Sequence, residues 1–143
     1  MESTRIDNRI GIRASAEQIW EVIEDLTGWQ RWNPYERDIE GSFGFSTPLR
    51  FREVFPDLRE RHVQASVSEW IPAGKLIWSE KRGFLSASTR FILLDEVEKG
   101  ATIVTNGITF SGLRGELFHD KHRARIRPAF TDMNERLKAL LEG

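Results

Sequence analysis

Glu80, Thr89, Asn106 and His122 are the residues whose types could do chemistry on otherwise apolar surfaces of this 143-residue chain. Each stands in phase with apolar neighbours: Glu80 with Trp78, Thr89 with Phe91, Asn106 with Val104 and Ile108, and His122 with Phe118 and Ile126. An unpaired buried polar group costs about 1–3 kcal/mol and a buried charge more, so each needs a partner, water or a ligand. A histidine in an apolar pocket suits a general base or a ligand hydrogen-bond donor, because its pKa lies near neutrality and either ring nitrogen can act. The plainer alternatives are Glu80 at an open rim, Asn106 satisfying a neighbouring strand or bulge, and His122 satisfied by backbone or water. His62 alternates with Val63 and is expected to point outward. Glu53 and Arg61 are in phase with Phe51 and Val63 and face each other across Pro56-Asp57-Leu58. An inward ion pair there would orient a polar ligand head; a rim salt bridge is worth under about 1 kcal/mol.

Other chemistries find no support. Glu116, His119 and His122 recur every three residues, which a helix places on one side, but no further convergent donors accompany them and no metal site is expected. The chain has no Cys, no G-x-S-x-G, no phosphate-binding loop and no dinucleotide glycine fingerprint. Gly41-Ser42-Phe43-Gly44 reads as a turn between strands. No catalytic residue, metal or cofactor is therefore assigned.

The elements that must position these groups follow from periodicity. Residues 4–13 alternate Ile6, Asn8, Ile10 and Ile12 with polar residues, the period of a strand with one buried face. Ser15 with Gln18 forms a capping box, and Ala16, Ile19, Trp20, Ile23 and Leu26 share a helical face that ends near Gly28, where glycine permits a left-handed turn. Trp29 to Trp32 reads as a second short helix stopped by Asn33-Pro34. Strands are expected over residues 37–43, 49–55, 59–70, 75–82, 86–96 and 101–110, with hairpin-length connections. From Leu113 the pattern is helical, with Phe118, His122, Ile126, Ala129, Met133, Leu137 and Leu140 on one face and a kink or break expected at Pro128. The order describes an α+β domain: a seven-stranded curved antiparallel sheet around a long C-terminal helix, with two short helices after strand one.

Loops at residues 97–100 and 83–86 would pair Leu93 with Val104, Phe91 with Asn106, Thr89 with Ile108, Trp78 with Phe91 and Glu80 with Thr89. The concave wall then comprises Trp32, Phe51, Trp78, Phe91, Phe110, Phe118 and Ile126, with Glu80, Thr89, Asn106 and His122 as its polar contacts. A slip of one residue would invert any of these strands.

Composition narrows the partners. Residues 1–143 suit one domain, and 39% hydrophobic with 30% charged residues is ordinary for a water-soluble fold. Five Trp and nine Phe against one Tyr favour apolar walls. A net charge of −1 offers no global attraction for nucleic acid, and the basic run from Lys121 to Arg127 is flanked by Glu116, Asp120, Asp132 and Glu135, the mixed signs of a solvated face. Charges from Glu2 to Arg13 leave no apolar core for a leader, and no apolar run approaches the ~18 residues of a membrane span. A cytoplasmic protein without membrane insertion is expected.

Two segments carry a family resemblance. Ser15-Ala16-Glu17-Gln18-Ile19-Trp20 through Trp29-Gln30-Arg31-Trp32-Asn33-Pro34 resembles the N-terminal signature of the START/birch-pollen-allergen-like (SRPBCC) superfamily, and Gly100-Ala101-Thr102-Ile103-Val104-Thr105-Asn106 with Thr109-Phe110-Ser111-Gly112-Leu113 resembles its polyketide cyclase/dehydrase branch. The resemblance covers nearly the whole chain and implies a helix-grip, a sheet folded around the last helix with an apolar cavity between them. Three functions follow as expectations. The first is binding of a hydrophobic or amphipathic small molecule in that cavity. The second is a cyclase or dehydratase in which His122 or Glu80 moves a proton. The third is a partner-binding regulatory module with a filled core. Cavity volume separates the third from the others, and proton-transfer geometry separates the first two.

Overall fold

Seven antiparallel strands form one curled sheet in the order β1-β7-β6-β5-β4-β3-β2. The computed structural model describes residues 4–143; Glu2, one of the charges counted against a leader, lies outside them. Along the chain come β1 (Arg5–Ile12), α1 (Ala16–Glu24), a 3₁₀ helix (Leu26–Arg31), β2 (Glu36–Gly41), β3 (Pro48–Glu53), β4 (Arg61–Ile71), β5 (Lys75–Gly83), β6 (Ser86–Glu98), β7 (Ala101–Ser111) and α2 (Leu113–Glu142). Strands β2 to β7 run as a meander, and β1 closes onto β7. α2 crosses the concave face and packs chiefly on β1 and β7. Among the described residues no helix is long and apolar enough to cross a membrane.

The N-terminal helices set up the floor of the concave face. The capping box is complete: Gln18 N–H donates to Ser15 Oγ at 3.2 Å and Ser15 N–H to Gln18 Oε1 at 2.9 Å. Ala16, Ile19, Trp20 and Ile23 are buried on one side of α1, as the helical period requires. Trp29 donates its indole N–H to the Ile23 carbonyl at 2.5 Å, tying the 3₁₀ helix to α1. Asn33 then makes the turn into β2, its Oδ1 accepting from the backbone N–H of Tyr35 and of Glu36, each at 3.2 Å. One expectation fails in this region. Gly28 does not adopt a left-handed conformation; it lies inside the 3₁₀ helix, where a Cβ would come within 2.6 Å of Asp25 Oδ2. Its missing side chain makes room for the Asp25 and Arg31 side chains.

The register around β6 also differs from the expected one, for a definable reason. The β6–β7 connection is a two-residue turn at Lys99-Gly100, with Glu98 opposite Ala101, and a bulge between Glu96 and Glu98 shifts the pairing so that Leu94, not Leu93, faces Val104. A second bulge between Lys81 and Gly83 places Trp78 opposite Arg90 and Glu80 opposite Ser88. Both shifts are by one residue, so β6 alone is inverted. Ser88, Arg90, Ile92 and Leu94 share the concave face with Trp78 and Asn106, and Thr89 and Phe91 face the opposite way. Phe91 is still buried: its ring lies over Gly107, where a Cβ would approach Phe91 Cζ to 2.7 Å, and the Arg5 guanidinium covers it at 4.4 Å.

α2 is one continuous helix through Pro128, so of the kink or break expected there, the break does not occur. Ile126, Ala129, Met133 and Leu137 are buried as the helical period predicts, and Leu140 is exposed. At the N-terminal end of the helix the buried histidine is His119, with His122 displaced to the flank.

Candidate functional site

The concave face brings together most of the residues expected there. Trp32, Phe51, Trp78, Glu80, Asn106, Phe110 and Ile126 are buried between sheet and helices. Phe118 and His122 are half-buried at the rim, in contact with each other at 4.6 Å between ring centroids. Thr89 and Phe91 are not part of this face. What the sequence did not reveal is how strongly charged the face is: Glu36, Glu53, Arg82 and Arg90 are buried on it beside Glu80.

Near the start of α2, three of these charges close a ring with Arg61. Arg61 lies 3.1 Å from Glu53 and 2.5 Å from Glu80, and Arg82 lies 3.0 Å from Glu53 and 3.3 Å from Glu80. Positive and negative groups thus alternate around a closed circuit contributed by β3, β4 and β5. The side chains of Glu53, Glu80 and Arg82 are 6%, 8% and 6% exposed; Arg61, at 27%, is the member that reaches solvent. Arg82 is also held over the faces of Phe110 and Phe118, 5.3 and 5.1 Å from their centroids. Burial works against the charge of Arg61, but Glu80 and Glu53 outweigh it and hold the guanidinium above its ordinary pKa. The expected Glu53–Arg61 pair therefore exists, though as one edge of a network.

Deeper in, Arg90 anchors a second network. Its Nη2 donates to Glu36 Oε1 at 2.8 Å, and Glu36 is further bound by Asn33 Nδ2 at 2.8 Å. Its Nη1 donates to Asn106 Oδ1 at 2.6 Å and to the Gly107 carbonyl at 3.1 Å. The guanidinium is sandwiched between Trp78 and Phe130, at 5.0 and 4.7 Å. From Asn106 the chain continues through Asn134, at 3.3 Å, to Asn8 on β1. Asn106 thus finds side-chain partners in Arg90 and Asn134.

Between the two networks the interior is nearly full. The remaining space, bordered by Phe51, Trp78, Ser88 and Ile108 together with the charged groups, amounts to about 10 Å³, enough for the centre of one water and no more. Larger hollows lie elsewhere and are open to solvent: about 540 Å³ beside the β5–β6 hairpin and about 470 Å³ along α2 around Pro128. Among the described residues, the space between these two networks is the small one of about 10 Å³, far less than the roomy apolar cavity expected between sheet and helix.

His122 does not point into the interior. Partial burial, Arg125 and Lys121 together push its pKa below the usual histidine value. His119 is 2% exposed and lies beside Phe110, the two rings tilted by 52° with 6.5 Å between centroids. No group of three or more His, Cys, Asp or Glu among the described residues is placed to hold a metal.

Comparison with known proteins bears on this arrangement. No curated protein matches the chain. The fold is shared with a Thermus thermophilus protein (14% identity, TM-score 0.74, covering 96% of this chain and 97% of that one). It is shared as well with Aha1 of Colwellia psychrerythraea, solved as a dimer (20% identity, TM-score 0.69, 96% of each chain). The di-domain ARO/CYC StfQ of the steffimycin biosynthetic pathway matches at 10% identity and TM-score 0.75, over 97% of this chain and 50% of its own. At these identities the likeness concerns the fold. A family model, described as polyketide cyclase / dehydrase and lipid transport, matches residues 3–142. That match spans the curled sheet, the Asn33 turn and the whole of α2, and by it the chain belongs to the polyketide cyclase/dehydrase and lipid transport family.

Proposed function

We propose that this protein binds a small amphipathic molecule between the concave face and α2, without transforming it. The observation that carries the reading is the buried charge. Burying ion pairs stabilises a fold less than well-packed apolar residues of the same volume would. A domain needing only a filled core has no use for Glu36, Glu53, Glu80, Arg82 and Arg90 on its inner face. Departures of this kind concentrate at functional sites. Phe51, Trp78, Phe110, Phe118, Ile108 and Ile126 supply apolar wall around them, the usual composition of a ligand site.

Binding has to open the interior, because about 10 Å³ cannot hold an organic molecule. The N-terminal half of α2 is the part to move. The Gly112 cap makes no side-chain hydrogen bond, and the first helical turn is held by the Leu85 carbonyl, which accepts from Arg114 N–H at 3.0 Å and Gly115 N–H at 3.4 Å. The cyclase reading, with Glu80 or His122 moving a proton, finds less support: both Glu80 oxygens are engaged by guanidinium groups, and His122 is half-buried at the rim with its Nδ1 3.2 Å from Arg125 Nη1.

The test is a fluorescence titration with the uncharged probe N-phenyl-1-naphthylamine. Saturable binding at one site is expected. Ser88→Leu, which fills the residual space, should weaken it at least about tenfold while the domain stays folded, and Phe91→Trp on the convex face should leave it unchanged. Absence of saturable binding would contradict the proposal.

One observation favours a second reading, a partner-binding module with a filled core. Phe84, Leu85, Leu113 and Leu117 are 73%, 48%, 61% and 60% exposed where the β5–β6 hairpin meets the start of α2. An apolar patch of this kind marks contact surfaces as well as ligand entrances. On that reading the probe finds no internal site, and Leu113→Ser with Leu117→Ser removes association with a partner.

A further inference from the structure

The charges of the inner face have a consequence for which molecules can enter. Three carboxylates, Glu36, Glu53 and Glu80, stand against three guanidiniums, those of Arg61, Arg82 and Arg90, and each is bound by at least one group of opposite sign. The inner face is thus balanced without a ligand. His122, at the rim, adds no fixed positive charge at neutral pH, since burial and its basic neighbours favour its neutral form.

Taking the proposed small-molecule site as the basis, we infer that the site selects an uncharged amphipathic ligand, one whose polar end carries hydroxyl or carbonyl groups, and rejects molecules of the same shape bearing a carboxylate, sulfonate or ammonium. A charged head entering this space loses its hydration and finds every opposite charge already paired. To have its charge neutralised it must break an Arg–Glu contact and leave a buried charge unpaired, the costly case for an ion pair in a dry environment, because any N–H that Arg61 could spare comes from a guanidinium already facing the carboxylates of Glu53 and Glu80. A neutral polar head faces no such exchange. Ser88 is buried, and among the described residues its hydroxyl has one long contact, 3.5 Å from Arg82 Nη1. The half-exposed guanidinium of Arg61 stands at the outer edge of the ring and can donate to a carbonyl or hydroxyl without leaving its two carboxylates. Ser88 and Arg61 are therefore the groups that read the polar end, and the paired charges reject other heads.

Two probes with the same aromatic body test this: N-phenyl-1-naphthylamine, which is neutral, and 1-anilinonaphthalene-8-sulfonate. The wild-type protein should bind the neutral probe at least about tenfold more tightly, a discrimination that a single unpaired buried charge readily supplies. Glu80→Gln leaves the inner face one positive charge in excess and should narrow or reverse the preference. Arg61→Gln leaves it one negative charge in excess and should widen it. The opposed directions separate charge balance from general loosening, which would move both variants the same way. Should Glu80→Gln fail to fold, the direction of the Arg61→Gln shift decides. Equal affinity for the two probes, tighter binding of the sulfonate by the wild type, or a common direction in the variants would overturn the inference and leave the small-molecule reading standing. Failure of both probes to bind would overturn that reading and this inference together.

Discussion

Arg90 holds a full charge with its side chain 3% exposed, and it does so because each of its three nitrogens meets an acceptor and both guanidinium faces meet an aromatic ring. Taking the guanidinium away would leave Glu36 buried with only Asn33 beside it. Arg90→Met is therefore expected to cost about 3–5 kcal/mol, and Glu36→Met with Arg90→Met distinctly less, as is usual when both partners are made apolar. Urea denaturation measures both; a single substitution costing under about 1 kcal/mol would show that the pair is not buried as a unit. Tyr35 makes a second residue-scale prediction. Burial, with the hydrogen bond to Asp132 at 2.7 Å and the charge of that carboxylate, raises its pKa to about 12. Asp132 moves the other way: burial opposes its charge, but the Tyr35 hydroxyl and Arg136 outweigh it and lower its pKa. The raised tyrosine favours the folded state fully below the unfolded value near pH 10, and this stabilisation is lost as pH rises toward 12. As the chain has one tyrosine, absorbance at high pH reads it directly; ionisation near pH 10 in the folded protein would contradict the Tyr35–Asp132 contact.

At the scale of elements, the strands and helices were legible where periodicity was clean. Strand β7 alternates Thr102, Val104, Asn106, Ile108 and Phe110 inward, and the reading from sequence placed Val104, Asn106, Ile108 and Phe110 on that side. Strand β6 was not legible because its two faces are almost equally apolar: Phe91 and Leu93 on one, Ile92 and Leu94 on the other, with Arg90 arguing against the correct face. Turn length then decided the register, and a bulge beside each turn shifted it by one. A buried arginine is decipherable only together with its partners, and Glu36 is far from it in sequence. Gly107 was an available clue, since a glycine inside a strand marks a close approach, in this case of the Phe91 ring and the Ile6 carbonyl. Gly107→Ala would put a methyl 2.5 Å from that carbonyl, so a loss of about 1–3 kcal/mol is expected on thermal unfolding. A neutral effect would contradict the placement of Phe91. In α1, Trp20 is 5% exposed and packed with the core, as its helical phase predicted. Trp20→Ala should cost about 3–5 kcal/mol; under about 1 kcal/mol by denaturant titration would exclude this face from the core.

The whole molecule is a curled sheet that closes on its last helix over a balanced set of charges, with little room left inside. The fold was legible because element order and family signature both run the length of the chain. The state of the interior was not, because whether aromatic side chains enclose a space or fill it depends on rotamers and register that sequence spacing does not fix. If the domain is a small-molecule binder, the filled interior is its resting form, and a ligand parts α2 from the ring of Glu53, Arg61, Glu80 and Arg82. Native mass spectrometry of the protein purified from its own host tests this most directly. A fraction carrying one small uncharged organic molecule is expected, released on unfolding and lost in Ser88→Leu. Protein that carries no small molecule, even from host lysate saturated with extractable metabolites, while retaining a larger partner through Phe84, Leu85, Leu113 and Leu117, would contradict small-molecule binding.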